Sequence, residues 1–262
     1  MHDTACELGR VFFDTYLPTV EALVLDVGSL DVNGSLRSVA PSTVHYVGVD
    51  MVAGPGVDVV LGDPHVLPFS DQKFDAVVAT SCFEHDTMFW VTFLEMVRVT
   101  RPGGYIYVNS PSNGWFHQHP RDNWRFYPDA GVSLQEWALR EGYDVALVES
   151  FIARRKRNIW NDCVMVFERS AKPTSRARIS DRVDDIMNLR RGNSGTSVEK
   201  YCQATEDQLI IQHLISQIGA RESHITELRA IIDACQQVIE VLTIRDDDES
   251  AAPLTSDALA VR

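Results

Sequence analysis

The chain has 262 residues, 45% of them hydrophobic, and its 24 Lys and Arg against 37 Asp and Glu leave a net charge of −13 at pH 7. That length makes room for one sizeable α/β domain plus an appendage, and the acidic balance excludes general nucleic-acid binding, which needs cations clustered against phosphate. Five scattered cysteines with no C-x-x-C pair exclude a disulfide framework or a cysteine-based zinc site; with no run approaching the ~20 apolar residues of a membrane span and no basic-then-apolar leader, a cytoplasmic protein is expected.

Residues 1–20 carry an apolar pattern (Leu8, Val11, Phe12, Tyr16, Leu17) that predicts a helix stopping at Pro18 and lying on a sheet or over a crevice. Leu23 to Val27 is apolar without alternation apart from Asp26, as in a parallel strand buried on both faces. It runs into Gly28 and Ser29, where a missing side chain lets a ligand lie against the backbone, and the turn is expected to lead to a helix N-terminus. The second strand, Val44 to Val49, stops at Asp50. An acid there, about 20 residues past a glycine turn, is placed to accept both hydroxyls of a ribose, so the expected ligand carries a nucleoside.

The third strand, Val57 to Leu61, leads into Gly62 to Phe69, where Asp63 is a natural acceptor for an adenine amino group. The fourth, Phe74 to Thr80, runs into Ser81-Cys-Phe-Glu-His-Asp86. A helix follows over Met88 to Thr100, with Phe89, Phe93, Met96 and Val97 at helical spacing; Arg101 to Gly104 stops it, and Tyr105 to Val108 is the fifth strand. Asn109 to Pro128 is a long aromatic segment holding His117, His119, Arg121, Asp122, Asn123 and Arg125, the length and chemistry expected of a functional loop. A helix over Ser133 to Glu141 and strands near Asp144 to Ala153 and Ile159 to Glu168 complete the sheet.

Asp26-Val-Gly-Ser, the Asp50 strand end, Gly62-Asp-Pro-His-Val-Leu-Pro-Phe69, Phe74-Asp-Ala-Val-Val78, Phe83-Glu-His85 and Arg101-Pro-Gly-Gly104, in this order, resemble the class I S-adenosylmethionine-dependent methyltransferases, most nearly those grouped as methyltransferase type 11. The resemblance covers roughly residues 20–169. It implies an α/β fold, a doubly wound, mostly parallel, seven-stranded Rossmann-like sheet with its last strand antiparallel, in a domain over residues 1–169. It also implies S-adenosylmethionine as cofactor, bound by Asp26, Gly28, Ser29, Asp50, Met51, Asp63 and Ser81. One departure stands out: the family's second turn glycine falls at Leu30, with Gly34 one turn later. The G-x-G-x-x-G spacing of a nicotinamide dinucleotide site is absent.

Methyl transfer from a sulfonium is an in-line displacement with a neutral leaving group, so the enzyme must align the acceptor and, for a hydroxyl, remove a proton. His85, His117, His119 and Asp122 are the candidate bases, each with a structural role as its alternative. His117, His119 and Asp122 could instead hold a divalent ion such as Mg²⁺, but His-x-His with a nearby Asp does not by itself assign a metal site. Trp124 could stack on a sugar face and Arg125 could pair with an acidic acceptor, or both could belong to the loop's own small core. Arg154 to Arg157 reads as a solvated hairpin tip. The Pro120-x-Asp-x-Trp-Arg-Phe-x-Pro128 pattern resembles a segment of methyltransferases from bacterial glycan and natural-product clusters, which implies a sugar or glycan hydroxyl as acceptor. An N- or C-methyltransferase of a small metabolite is one alternative. A non-catalytic scaffold is another, motivated by Leu30.

Residues 170–198 are polar and rich in Ser, Arg and Pro, and read as a linker with one short helix, Val183 to Leu189. Over residues 199–245 the period changes: Ile211, Ile218, Ile225, Ile232 and Ile239 recur every seven residues, with Leu214, Leu228, Cys235 and Leu242 three positions later, broken at Arg221. Isoleucine at the first core position and leucine at the fourth predict a parallel two-stranded coiled coil, roughly 50 Å long over Leu209 to Thr243, with wider bundles open. The expected partner is a second copy of the chain. Residues 246–262, opening on four acids, are expected to form a disordered tail.

Overall fold

The computed structural model describes residues 3–17, 21–157, 159–174, 177–192 and 197–250, with side chains to residue 243. It divides into two units, Met1–Gln203 and Ala204–Arg262.

The first unit is built from α1 (Asp3–Tyr16), β1 (Ala22–Val27), β2 (Val44–Asp50), β3 (Val59–Val60), β4 (Phe74–Thr80), α2 (Phe89–Val99), β5 (Thr100–Pro111), α3 (Asp129–Arg140), β6 (Ala146–Ala153), β7 (Asp162–Glu168) and β8 (Ile186–Arg191). The strands form one sheet in the order β3-β2-β1-β4-β5-β7-β6-β8. Pairs among β1 to β5 are parallel, and β7 is antiparallel to β5 and β6.

Both faces of the central strands are covered, which is why their apolar runs do not alternate. Leu25, Val27, Val77, Ala79, Ile106 and Val108 pack under α2 and α3, against Phe93, Met96, Val97 and Leu134. Their neighbours Val24, Ala76, Val78 and Tyr107 face the other way, against Leu8, Phe12, Phe13 and Tyr16 of α1. Each large side chain buried this way is worth about 1.5–3 kcal/mol. A buried acid fastens this second face: Glu149 accepts from the Tyr16 hydroxyl at 2.7 Å and from the backbone N–H groups of Ile179 and Ser180 at 2.7 and 3.0 Å. On the first face Arg169 donates to the carbonyls of Val97, Arg98 and Thr100, satisfying the C-terminal end of α2.

Three expectations are corrected. The sheet has eight strands, because β8, inside the segment read as a linker, pairs antiparallel with β6 and is held in turn by a bridge between Leu189 and Glu199. No α-helix follows β1; residues after Gly28 run irregularly to a single 3-10 turn, Leu36–Ser38. Arg101 to Gly104 is a register shift inside β5 rather than a turn before it.

In the second unit α4 (Glu206–Ser250) is one helix of 45 residues, about 68 Å long. It opens on a reciprocal cap in which the Gln208 N–H donates to Thr205 Oγ1 at 3.2 Å and the Thr205 N–H to Gln208 Oε1 at 2.9 Å. It runs through the boundary expected at 245, so residues 246–250 are helical, and the rest of the expected acidic tail lies outside the described residues. The heptad isoleucines are each about half exposed. Among the described residues no helix is long and apolar enough to cross a membrane.

Candidate functional site

The strand order reverses between β1 and β4, since β2 and β3 extend to one side and β5 to the other. Outside the carboxyl ends of the strands at such a switch point an open α/β sheet leaves a crevice. Here the crevice is a cavity of about 1180 Å³, larger than the roughly 300–1,000 Å³ of an ordinary small-molecule pocket. Its lining comes from the turns after β1 and β2 and, across the switch point, from the turn after β4 and the loop after β5.

On the β1 side, Gly28 has φ +80°, and an added Cβ would lie 2.8 Å from both Cβ and Sγ of Cys82. Left-handed backbone and a neighbouring strand end both require glycine here. The Gly28 and Ser29 N–H groups each donate to Val49 O at 3.0 Å, tying this turn to β2. Asp50 completes the tie by accepting from the N–H groups of Leu30 at 3.1 Å and Val52 at 3.2 Å. Ser29 presents backbone to the crevice side, while its buried hydroxyl, tucked against Gly48, has no hydrogen-bond partner among the described residues. Met51 lines the cavity and is partly exposed.

The place of the missing helix is taken by the segment after β2. Asp31 N–H donates to Pro55 O at 2.8 Å, and the Leu30 side chain covers Gly54 so closely that a Cβ there would sit 2.4 Å from Cδ1. A large residue therefore stands at Leu30 because it seals this loop.

Asp26 forms the floor. It is buried, accepts from the Tyr46 hydroxyl at 2.7 Å, and is pushed up to about 7, with burial the main cause and the Tyr46 bond opposing it. A carboxyl raised in the fold holds a proton that the unfolded chain has lost, so it costs stability as pH rises from about 4 to 7 and no further above that. Asp26→Asn is expected to remove that slope: the wild type should lose about 1–4 kcal/mol relative to the variant between pH 4 and 7.5 in urea melts, from the size of the shift. Parallel curves for the two proteins would contradict it.

Asp63 does not line the cavity. Its exposed carboxylate accepts from the His65 N–H at 2.9 Å, and Pro64 and His65 line the wall in its place.

On the β4 side, Ser81 sits at φ +51°, lines the cavity and donates its N–H to Asn109 O. Glu84 is 1% exposed, with Oε2 lacking a hydrogen-bond partner among the described residues, and burial pushes it up to about 7. His85 Nδ1 lies 2.5 Å from Arg121 O, and its Nε2 stands 3.8 Å from Glu84 Oε1; burial holds this imidazole below its ordinary value. The His117 and His119 rings lie 5.0 and 6.2 Å from that of His85, and all three histidines line the cavity.

Asp122, expected as a base, is locked instead. Arg125 holds both its oxygens, at 2.5 and 2.8 Å, and the His117 N–H donates to it at 2.8 Å. The Arg125 hydrogen bonds lower it to about 2, which leaves too weak a base for a hydroxyl proton. Among the described residues His117, His119 and Asp122 do not come together as a metal-holding group, the Asp122 oxygens being taken by Arg125. Arg125 spends its remaining donors on the carbonyls of Asn113, Trp115 and Trp124, and the Trp124 indole donates to Asp86 O and packs on Phe89 and Trp90. Neither residue lines the cavity; both hold the loop together.

Two groups passed over in the sequence do line it. Glu84 is one, and its signal was the acid beside His85 at a strand end. The other is a relay in which His65 Nε2 meets Asp86 Oδ1 at 2.8 Å and Asp86 Oδ2 accepts from the Thr92 hydroxyl at 2.5 Å.

Residues 13–108 match the model of a methyltransferase domain family, methyltransferase type 11. Phthiotriol/phenolphthiotriol dimycocerosates methyltransferase 1 of Mycobacterium ulcerans is 45% identical over 64 residues, 22% of this chain and 22% of that protein. An uncharacterised methyltransferase of Mycobacterium leprae is 31% identical over 122 residues, 41% of this chain and 44% of its own length. The alignments thus span less than half of these relatives. Among solved structures, 1,6-didemethyltoxoflavin-N1-methyltransferase of Burkholderia thailandensis aligns with a TM-score of 0.52 and 16% identity over 63% of this chain and 78% of that one, a likeness of fold. Residues 13–108 thus match a methyltransferase domain family, and the strand order around the switch point together with this fold likeness gives the first unit a Rossmann-like methyltransferase fold.

Proposed function

We propose that the protein transfers the methyl group of S-adenosylmethionine to a hydroxyl oxygen, with a sugar or glycan as the leading acceptor class. The observation that carries this reading is a single cavity, large enough for two ligands, that joins the Gly28 turn to a ring of Glu84, His85, His117 and His119. Asp50 accepts the ribose hydroxyls, the Gly28–Ser29 backbone lies along the cofactor, and Met51 and Ser81 flank it. Asp26 meets its ammonium, a cation that restores the charge burial suppresses, so affinity rises with pH up to about 7. When bound, the sulfonium supplies an electrophilic methyl and a neutral leaving group. The chain's part is to align the acceptor oxygen with that methyl and take up its proton within the imidazole ring cluster.

A lipid-borne hydroxyl is the second reading. It is favoured by the relatives named for phthiotriol dimycocerosates and by Trp115 and Phe116, 66% and 72% exposed on the loop after β5. The five free cysteines suit a reducing compartment, and we place the reaction in the cytoplasm. The half-exposed isoleucine seam of α4 pairs with a second copy of the chain.

Methyl-labelled cofactor incubated with panels of sugars, glycans, lipid polyols, amines and carbon acids tests the reaction. Label in an ether of a sugar or lipid hydroxyl supports it and separates the two acceptor classes. Label only on nitrogen or carbon overturns it.

A further inference from the structure

We propose that Glu84, His85 and His117 form a site for a divalent first-row transition-metal ion at the acceptor end of the cavity. One ligand atom from each of the three residues lies within 4.8 Å of the other two. Two imidazoles and one carboxylate, facing a cavity that leaves further positions open, are the donor set of a facial triad suited to Fe²⁺, Mn²⁺, Co²⁺ or Zn²⁺ and a poor match to Mg²⁺, which prefers oxygen throughout. Bonds of about 2.1 Å at tetrahedral or octahedral angles set ligand atoms about 3.0–3.5 Å apart, so the three donors need to close by roughly 1 Å.

The surroundings are those of ligands rather than of a bare base. Metal-binding histidines turn their other ring nitrogen to a carbonyl or carboxylate, which fixes the tautomer. His85 Nδ1 is on Arg121 O, which leaves Nε2 directed toward Glu84. His117 Nδ1 lies between the Asp122 carboxylate, with Oδ2 at 3.4 Å, and the Arg125 guanidinium that anchors it, with Nη2 at 3.5 Å. The third donor, Glu84, is buried with one oxygen lacking a hydrogen-bond partner among the described residues. A buried carboxyl left this way costs free energy that a cation beside it would recover.

The ion's role deepens the methyl-transfer reading and rests on it; the binding itself does not. An acceptor hydroxyl in an open position gives up its proton more readily. That proton passes to His119, the imidazole of the cluster that is not a ligand, and from there to solvent; the oxygen forms its bond to the methyl carbon, and the carbon–sulfur pair goes to sulfur as a neutral thioether.

The 262-residue chain, stripped by chelation and titrated with Co²⁺, read by visible absorption and calorimetry, tests the site. One Co²⁺ per chain is expected, and His117→Ala and Glu84→Gln should each weaken it at least a hundredfold, more than the loss of an outer-shell partner does. Asp122→Asn should cost about 10–100-fold, and His45→Ala, on an exposed surface pair with Glu21, should change nothing. His117 lies in a loop, so its variant keeps the test decisive even if Glu84→Gln fails to fold. No stoichiometric uptake, or uptake equal in His117→Ala and wild type, overturns the site. S-adenosylhomocysteine is titrated in parallel: Co²⁺ bound without it leaves the metal site standing and removes the methyltransferase reading, while the reverse removes the metal site alone.

Discussion

Asp50→Ala is expected to lower affinity for S-adenosylhomocysteine at least a hundredfold. Two ribose hydroxyls on a charged acceptor contribute about 1.5–3 kcal/mol each, and a hundredfold corresponds to about 2.7 kcal/mol. The substitution also frees the Leu30 and Val52 N–H groups that Asp50 holds, loosening the turn that carries Gly28 and Ser29. Asp63→Ala is the matched comparison. Its exposed carboxylate caps the His65 turn and stands 3.8 Å from the His65 ring, outside the cavity lining, so affinity should change by no more than about twofold, the scale of an exposed polar substitution. Calorimetry on both variants, with urea midpoints to verify folding, reads the contrast; equal affinities in Asp50→Ala and wild type would contradict the assignment of the ribose site.

Ending the chain after Gln203 is expected to convert a dimer or larger assembly into a monomer that still binds S-adenosylhomocysteine. The cut belongs there because the first unit uses residues just before it: the Glu199 N–H donates to Leu189 O at 2.8 Å, and the Cys202 N–H to Asn188 Oδ1 at 2.7 Å. The removed helix carries Ile211, Ile218, Ile225, Ile232 and Ile239 about half exposed, the seam that the proposed coiled coil would bury against a second copy. Ile225→Asp with Ile232→Asp in the full chain should act likewise without shortening it. Light scattering decides it, and an unchanged mass per particle after truncation would contradict the pairing.

The central strands were legible because burial on both faces leaves a mark that little else in a sequence mimics: Leu23 to Val27 and Phe74 to Thr80 became β1 and β4 within a residue. The strand β8 was not, because Val183, Ile186, Met187 and Leu189 also fit helical spacing, and only its pairing with β6 decides between them. The helix expected after Gly28 fails for a local reason. Ser29 to Ser35 is rich in side chains that compete for backbone, as Asp31 does by accepting from the Gly34 N–H at 2.7 Å.

The acids at strand ends, Asp26 and Asp50, could be placed at the crevice from position alone. The loop after β5 could not be sorted that way. Whether Asp122 and Arg125 face a ligand or each other depends on loop closure, and only the fold brings buried Glu84 together with both His85 and His117, which come from different segments.

The most direct test is calorimetric titration of S-adenosylhomocysteine and S-adenosylmethionine into the wild-type 262-residue chain at pH 7.5. One site per chain with micromolar or tighter affinity is the predicted result. Absence of binding by both ligands would contradict a cofactor site at the Gly28 turn, and with it the methyltransferase reading of the cavity.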